Sequence, residues 1–187
     1  VDLRPIEGAL LTERLILFLS VDVKDSTKAK RSEYLATPGT SREQSPDRPH
    51  DWREDFGSFL LYFGKLIGEV YRLEKASVRP PVLWKTIGDE VVLVTELHRL
   101  GDADEHIRLL LKVLSGVQLQ AALPHKLKAT AWTAELPVAN LMLPFRLGAD
   151  EQIPDPKELD QFDYIGPQID LGFRLTKLAT EREMSIS

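Results

Sequence analysis

The chain has 187 residues, 43% of them hydrophobic and 28% charged, with a formal net charge of −5; that is enough length for one domain with a sizeable core, and the acidic balance excludes a general binder of DNA or RNA, whose affinity comes from basic surface. With no cysteine and four histidines (His50, His98, His106, His125) lacking ligand spacing, disulfides, thiolate nucleophiles and cysteine-held zinc are excluded, so any metal must be held by oxygen. No apolar run approaches the roughly 18 residues of a membrane-spanning helix and no secretion signal opens the sequence, so a cytoplasmic protein without membrane contact is expected.

Residues 13 to 23, ERLILFLSVDV, read as a central strand. The apolar run is continuous rather than alternating, as expected when both faces are covered, yet it ends on the carboxylate Asp22. DSTKAKRSEYL follows, with Ser26 and Thr27 at a helix start and Lys24, Lys28, Lys30 and Arg31 close by. Residues 36 to 51 are rich in Pro, Ser, Thr and charge and predict a loop. Between 52 and 75, Phe56, Phe59, Leu60, Phe63, Ile67, Val70 and Tyr71 recur at helical spacing and predict a long core helix. Residues 82 to 97 are apolar on both sides of Gly88-Asp89, which predicts two strands joined by a tight turn.

DADEHIRLLLKVLSGVQLQAAL, residues 102 to 123, opens with acids that favour a helix N-terminus and continues with helical periodicity. Residues 126 to 143 predict a strand broken near Pro137, and 144 to 161 a Pro-rich acidic loop. In FDYIGPQIDLGFRLTKLAT, Gly166-Pro167 suits a helix entrance with proline in the first turn. The closing EREMSIS reads as a strand just begun, so an end cut short is expected. No internal repeat is visible. The order β-α-β-β-α-β-α-β predicts one α+β domain over residues 1–187, ferredoxin-like or palm-type, with a mixed or antiparallel sheet and helices packed on one face. The hairpin then lies beside the first strand, which puts Asp89 next to Asp22.

Two aspartates on neighbouring strand ends repel each other unless a cation lies between them, and hard carboxylate oxygens suit Mg²⁺ or Mn²⁺. Paired ions of this kind are the usual device for displacement at phosphorus. Backbone amides at the helix start after Asp22, with Lys24 nearby, offer a place for a polyphosphate. Each feature has an ordinary reading as well. Gly-Asp is a common hairpin turn, the basic residues can form a solvated helix face, and Asp170 and Arg174 have the i, i+4 spacing of a surface pair.

Together the segments are more specific. VDVKDST resembles the first-strand segment of class III nucleotidyl cyclases, with Asp22 as the metal-binding aspartate and Thr27 at the fifth position after it. WKTIGDEVVLV resembles their hairpin, with Lys85 at the base-recognition position and Asp89 as the second metal ligand. FDYIGPQIDLGFRL resembles their last motif, with Asp163 as the base-contacting residue and Arg174 as the transition-state arginine. The motifs occur in family order across residues 15 to 178.

The resemblance implies a metal site at Asp22, Val23 and Asp89 for two Mg²⁺ or Mn²⁺ ions, phosphate contacts at Lys24, Ser26 and Thr27, a base pocket at Lys85 and Asp163, and catalytic roles for Arg174 and Asp170. It also implies a homodimer with shared active sites. Two departures stand out. Asp170 occupies the position of a ribose-orienting asparagine, and the family's triphosphate lysine downstream of the arginine has no match before Ser187. The combination of SVDVKDST, WKTIGDE and IGPQIDLGFR is most similar to the bacterial Pycsar pyrimidine cyclases. A pyrimidine triphosphate, UTP favoured over CTP, cyclised to the 3′,5′-monophosphate as a signal in anti-phage defence, is therefore the expected function. The alternatives are a class III adenylyl cyclase, a palm-type diguanylate cyclase, whose first motif glycine is absent here, and a catalytically dead cyclase fold that senses nucleotides.

Overall fold

The computed structural model describes residues 12–23, 52–120, 126–145, 154–179 and 185–186. The helix start expected after Asp22, with Lys24, Ser26 and Thr27, and the loop expected at 36 to 51 lie outside the described residues.

Strand β1 is Arg14–Val23. Helix α1, Trp52–Leu73, leads to the hairpin of β2, Val82–Ile87, and β3, Glu90–Leu97. Helix α2, Leu100–Gln120, precedes β4, Leu127–Leu136. The first four strands lie in the order β2-β3-β1-β4, with β1 antiparallel to both neighbours and β2 antiparallel to β3. This is the interleaved ferredoxin-like arrangement expected from the element order, because each helix carries the chain over one intervening strand. The edge strand β7, Ser185–Ile186, runs parallel to β4.

Side-chain alternation sends the two halves of β1 to opposite layers. Leu17, Leu19, Val21 and Val23 face α1 and α2, where Phe59, Phe63, Leu66, Ile67 and Tyr71 meet Leu109, Leu110, Val113, Leu114 and Val117. Ile16 and Phe18 face the other way, into a second buried cluster with Trp84, Trp132, Tyr164, Ile169 and Phe173. The continuous apolar run of β1 is thereby explained, since neither face meets water.

The second layer differs from the expectation of helices on one face only. Within the stretch 126 to 143 the chain leaves β4 at a cis Leu136–Pro137 bond and forms a separate ladder of β5, Leu141–Pro144, with β6, Phe162–Ile165. A 3₁₀ turn, Leu159–Gln161, lies in the region expected to be all loop. Helix α3, Pro167–Leu175, follows with proline at its start, as Gly166-Pro167 predicts. Together β5, β6 and α3 cover the face of the sheet that α1 and α2 leave open. Aromatic residues hold this layer: Phe18 stacks on Trp132 at 5.3 Å and meets Trp84 and Tyr164 edge-on, each pair contributing about 0.5–1.5 kcal/mol beyond its buried area.

Candidate functional site

The polar residues of the sheet gather on the second face, at the end of β1 toward which the hairpin turns. Asp22 is directly across from Glu90 on β3 and from Lys128 on β4. One row further in, Ser20 stands between Val92 and Thr130, and the next row is the aromatic floor of Phe18, Val94 and Trp132. The acidic end of β1 is therefore a continuation of the face that α3 and β6 cover, not of the face under α1 and α2.

Asp89 precedes Glu90 in the turn, where Gly88 adopts a left-handed φ of 68°. That conformation favours glycine and lets the chain reverse within two residues. Asp22, Asp89 and Glu90 thus form a local excess of negative charge on adjoining strands. Burial raises the Glu90 carboxyl above its ordinary range, a hydrogen bond from Ser20 opposes this, Asp22 raises it further, Lys128 lowers it and Asp89 raises it. The Ser20 hydroxyl donates to Glu90 Oε1. Lys128 Nζ lies 2.7 Å from Asp22 Oδ2, with both side chains about three-quarters buried.

Lys85 and Asp163 come from elements distant in sequence and meet in an ion pair of 2.8 Å. A register shift in β2 between Leu83 and Lys85 makes this possible. It allows Trp84 to enter the second core while Lys85 also turns to that side, its ammonium 3.7 Å from the centroid of the Trp84 ring. Asp163 Oδ1 additionally accepts the backbone N–H of Tyr164.

Helix α3 presents Asp170 and Arg174, both exposed. The surface pair permitted by their spacing does not form: among the described residues no ion pair joins Asp170 to Arg174. The helix itself is firmly placed. Asn140, buried in the turn after β4, accepts the N–H of Gln168 at 3.2 Å and so caps a helix whose own Gly166 offers no side chain. Gln168 in turn accepts the N–H of Glu135 at 2.8 Å. Deeper along the helix, a Cβ on Gly172 would lie 2.1 Å from the Trp132 indole, so α3 sits as low on β4 as a bare backbone can.

Of the residues singled out from the sequence, Asp22, Val23, Asp89, Lys85, Asp163, Asp170 and Arg174 are described. The Val23 side chain is buried under the helices, so only its backbone carbonyl is available to an ion beside Asp22. Sequence reasoning passed over Lys128, Glu90 and Ser20. Alternation along β1, β3 and β4 was the available signal, but which residues stand opposite Asp22 follows only from the register.

Among the described residues no three acidic or histidine side chains converge to hold an ion by themselves. The donor set fits a site of another kind, in which one or two carboxylates and a carbonyl bind a hard cation whose coordination is completed by substrate phosphates.

The sequence matches no protein-family model and no curated protein. Solved structures are matched by shape. An adenylyl cyclase, CyaB, from P. aeruginosa superimposes with a TM-score of 0.60 at 13% identity, over 94% of this chain and 78% of that one. The guanylyl cyclase Cya2 gives 0.53 at 17% identity, over 94% and 76%. A dimeric guanylyl cyclase domain of the RhoGC fusion protein from the aquatic fungus Blastocladiella emersonii gives 0.58 at 10% identity, over 94% and 81%. The chain therefore has the fold of the class III adenylyl and guanylyl cyclase domains.

Proposed function

We propose that the protein is a nucleotidyl cyclase that converts a pyrimidine nucleoside triphosphate, UTP in preference to CTP, into its 3′,5′-cyclic monophosphate and pyrophosphate. The observation that carries this reading is the placement of Asp22 across from Glu90, one residue from Asp89, on a cyclase fold. In the reaction the ribose 3′-oxygen forms a bond to the α-phosphorus, the bond from that phosphorus to the oxygen bridging to the β-phosphate breaks, and the 3′-proton passes to solvent. Asp22, the Val23 carbonyl and Asp89 would hold two Mg²⁺ or Mn²⁺ ions, which when bound would lower the pKa of the 3′-hydroxyl and neutralise phosphate charge. Lys24, Ser26 and Thr27 contact the phosphates. Arg174 stabilises charge that develops as pyrophosphate leaves, and Asp170 orients the ribose.

Lys85 and Asp163 read the base. The uracil edge presents O4 as acceptor and N3–H as donor, which an ammonium beside a carboxylate satisfies; cytosine inverts both. The ion pair between Lys85 and Asp163 holds this donor and acceptor side by side. Exposed Arg174 has no ion-pair partner within its own chain among the described residues, which supports a head-to-tail homodimer in which α3 of one subunit completes the site of the other. A role in anti-phage signalling in the cytoplasm rests on the sequence resemblance to Pycsar cyclases. Incubation with the four ribonucleoside triphosphates and Mn²⁺, followed by mass analysis, tests the reading. Cyclic UMP as the main product is the expected result. Cyclic AMP would make the protein an ordinary adenylyl cyclase, a linear dinucleotide product would favour the diguanylate type, and no product would favour a sensing module.

A further inference from the structure

We propose that Lys128 is a built-in competitor for the metal, an ammonium that occupies the cation position at Asp22 until nucleotide-bound metal displaces it. The proposal rests on the reading of Asp22 and Asp89 as metal ligands. Lys128 stands directly opposite Asp22 across the β1–β4 ladder, and its Nζ is 2.7 Å from Asp22 Oδ2. Among the described residues it is the only basic side chain that forms an ion pair with Asp22. The pair is mostly shielded from water, so the attraction between the partners is screened far less than on an open surface.

The neighbourhood explains why such a cation is needed. Asp22 stands across from Glu90, one residue from Asp89, and Glu90 accepts the Ser20 hydroxyl from one row further in. Without a counter-ion these carboxylates repel one another. The Lys128 ammonium relieves this repulsion in the metal-free chain. A divalent ion cannot join it on the same carboxylate oxygen. Magnesium approaches its oxygens to about 2.0–2.1 Å and demands near-octahedral geometry, so an ammonium on the same carboxylate oxygen meets both a steric conflict and a like-charge repulsion. Metal binding through Oδ2, alone or in a bidentate mode, therefore requires that the Asp22–Lys128 contact break, and an ion on Oδ1 still meets the ammonium's charge across the carboxylate. A free ion alone must overcome that cost, whereas an ion arriving with a triphosphate brings further contacts to offset it. The consequence is an order of events: the metal site fills with the nucleotide rather than before it.

The test is Mn²⁺ binding to the nucleotide-free full chain, read by the electron paramagnetic resonance of free Mn²⁺, for wild type, Lys128→Met, Lys128→Gln, and each of these combined with Asp22→Asn. Both Lys128 variants should bind Mn²⁺ roughly tenfold more tightly than wild type, the shift produced by about 1.4 kcal/mol, and Asp22→Asn should abolish the gain. Mn²⁺ should likewise raise the melting temperature of the Lys128 variants more than that of wild type. A wild-type measurement guards against misfolded variants: the ¹⁵N resonance of the Lys128 ammonium should stay in slow solvent exchange with Mg²⁺ alone and pass to fast exchange with Mg²⁺ and a non-hydrolysable UTP analogue; slow exchange under both conditions overturns the displacement. Unchanged or weaker Mn²⁺ binding in folded Lys128 variants, at a site still lost with Asp22→Asn, overturns the competition while leaving the metal reading intact. Binding that is indifferent to Asp22→Asn in every background overturns the metal reading, and this proposal with it.

Discussion

At the residue scale, individual side chains make separable predictions. Asp22→Ala and Asp89→Ala should each abolish the proposed cyclisation while the far-ultraviolet spectrum stays that of wild type, because each removes a charge from a repelling group as well as a proposed metal ligand. An active Asp89→Ala enzyme would sink the two-metal scheme. Lys85→Ala should reduce the proposed preference for UTP over ATP by roughly tenfold or more, since the half-exposed Asp163 then loses its ordered partner and uracil its O4 donor; competition among the four triphosphates measures it. Gly172→Ala tests how Arg174 is placed. The added methyl group would meet the Trp132 indole at 2.1 Å, so α3 must lift, at a cost of about 1–3 kcal/mol for overpacking. Turnover should fall more steeply than the melting temperature, because Arg174 is carried two residues further along the same helix. Adding Trp132→Leu, which removes the indole atoms the methyl group would meet, should restore turnover in part; no recovery in a folded double variant would separate Gly172 from the placement of Arg174.

At the element scale, the packing of α1 on α2 contains a titratable pair. Tyr71 and His106 are both buried and their side chains are joined by a hydrogen bond of 2.7 Å. Burial lowers the His106 pKa from 6.5 to about 4, with Asp102 and Glu105 opposing the shift. The folded chain thus holds His106 neutral at pH values where the unfolded chain protonates it. Stability from this group is fully present above pH 6.5 and is lost as the pH falls from 6.5 toward 4, amounting to roughly 3 kcal/mol at the limit. Urea unfolding of wild type and His106→Gln across that range checks this: the wild type should lose stability steadily with acid and the variant should show a much flatter profile. The same slope in both would assign the acid sensitivity elsewhere.

At the scale of the whole molecule, the proposed dimer makes a prediction that no single chain can. Asp22 and Asp89 lie on the sheet and Arg174 on the exposed side of α3, so head-to-tail pairing would bring the sheet of one subunit to the helix of the other. Asp22→Ala and Arg174→Ala should each be inactive alone, and their mixture should recover activity. With random exchange half the dimers are mixed and each has one intact site of two, giving roughly a quarter of the wild-type sites. No recovery in chains shown to exchange by mass would place the whole site within one subunit.

How much of this was legible beforehand follows from the range of each interaction. The apolar run of β1, the turn at Gly88-Asp89, the helical spacing from Phe56 to Tyr71 and the proline entrance to α3 are local patterns, and local patterns are written in neighbouring residues. Element order then leads to the ferredoxin-like sheet, because crossover rules leave few other ways to connect those elements. The residues with chemistry were visible as types out of place, a carboxylate ending a buried strand above all. The tertiary structure alone decided the pairings between distant segments: Lys128 on Asp22, Ser20 on Glu90, Lys85 on Asp163, Trp132 under Gly172. It also decided that β5, β6 and α3 form a second layer across the sheet, where helices on one face only were expected. Such contacts depend on register and on packing across the sheet, and a shift of one residue in register would turn every one of those side chains to the opposite face. Amino-acid order by itself determined which elements form and where charge interrupts them; only the folded sheet determined which charges meet.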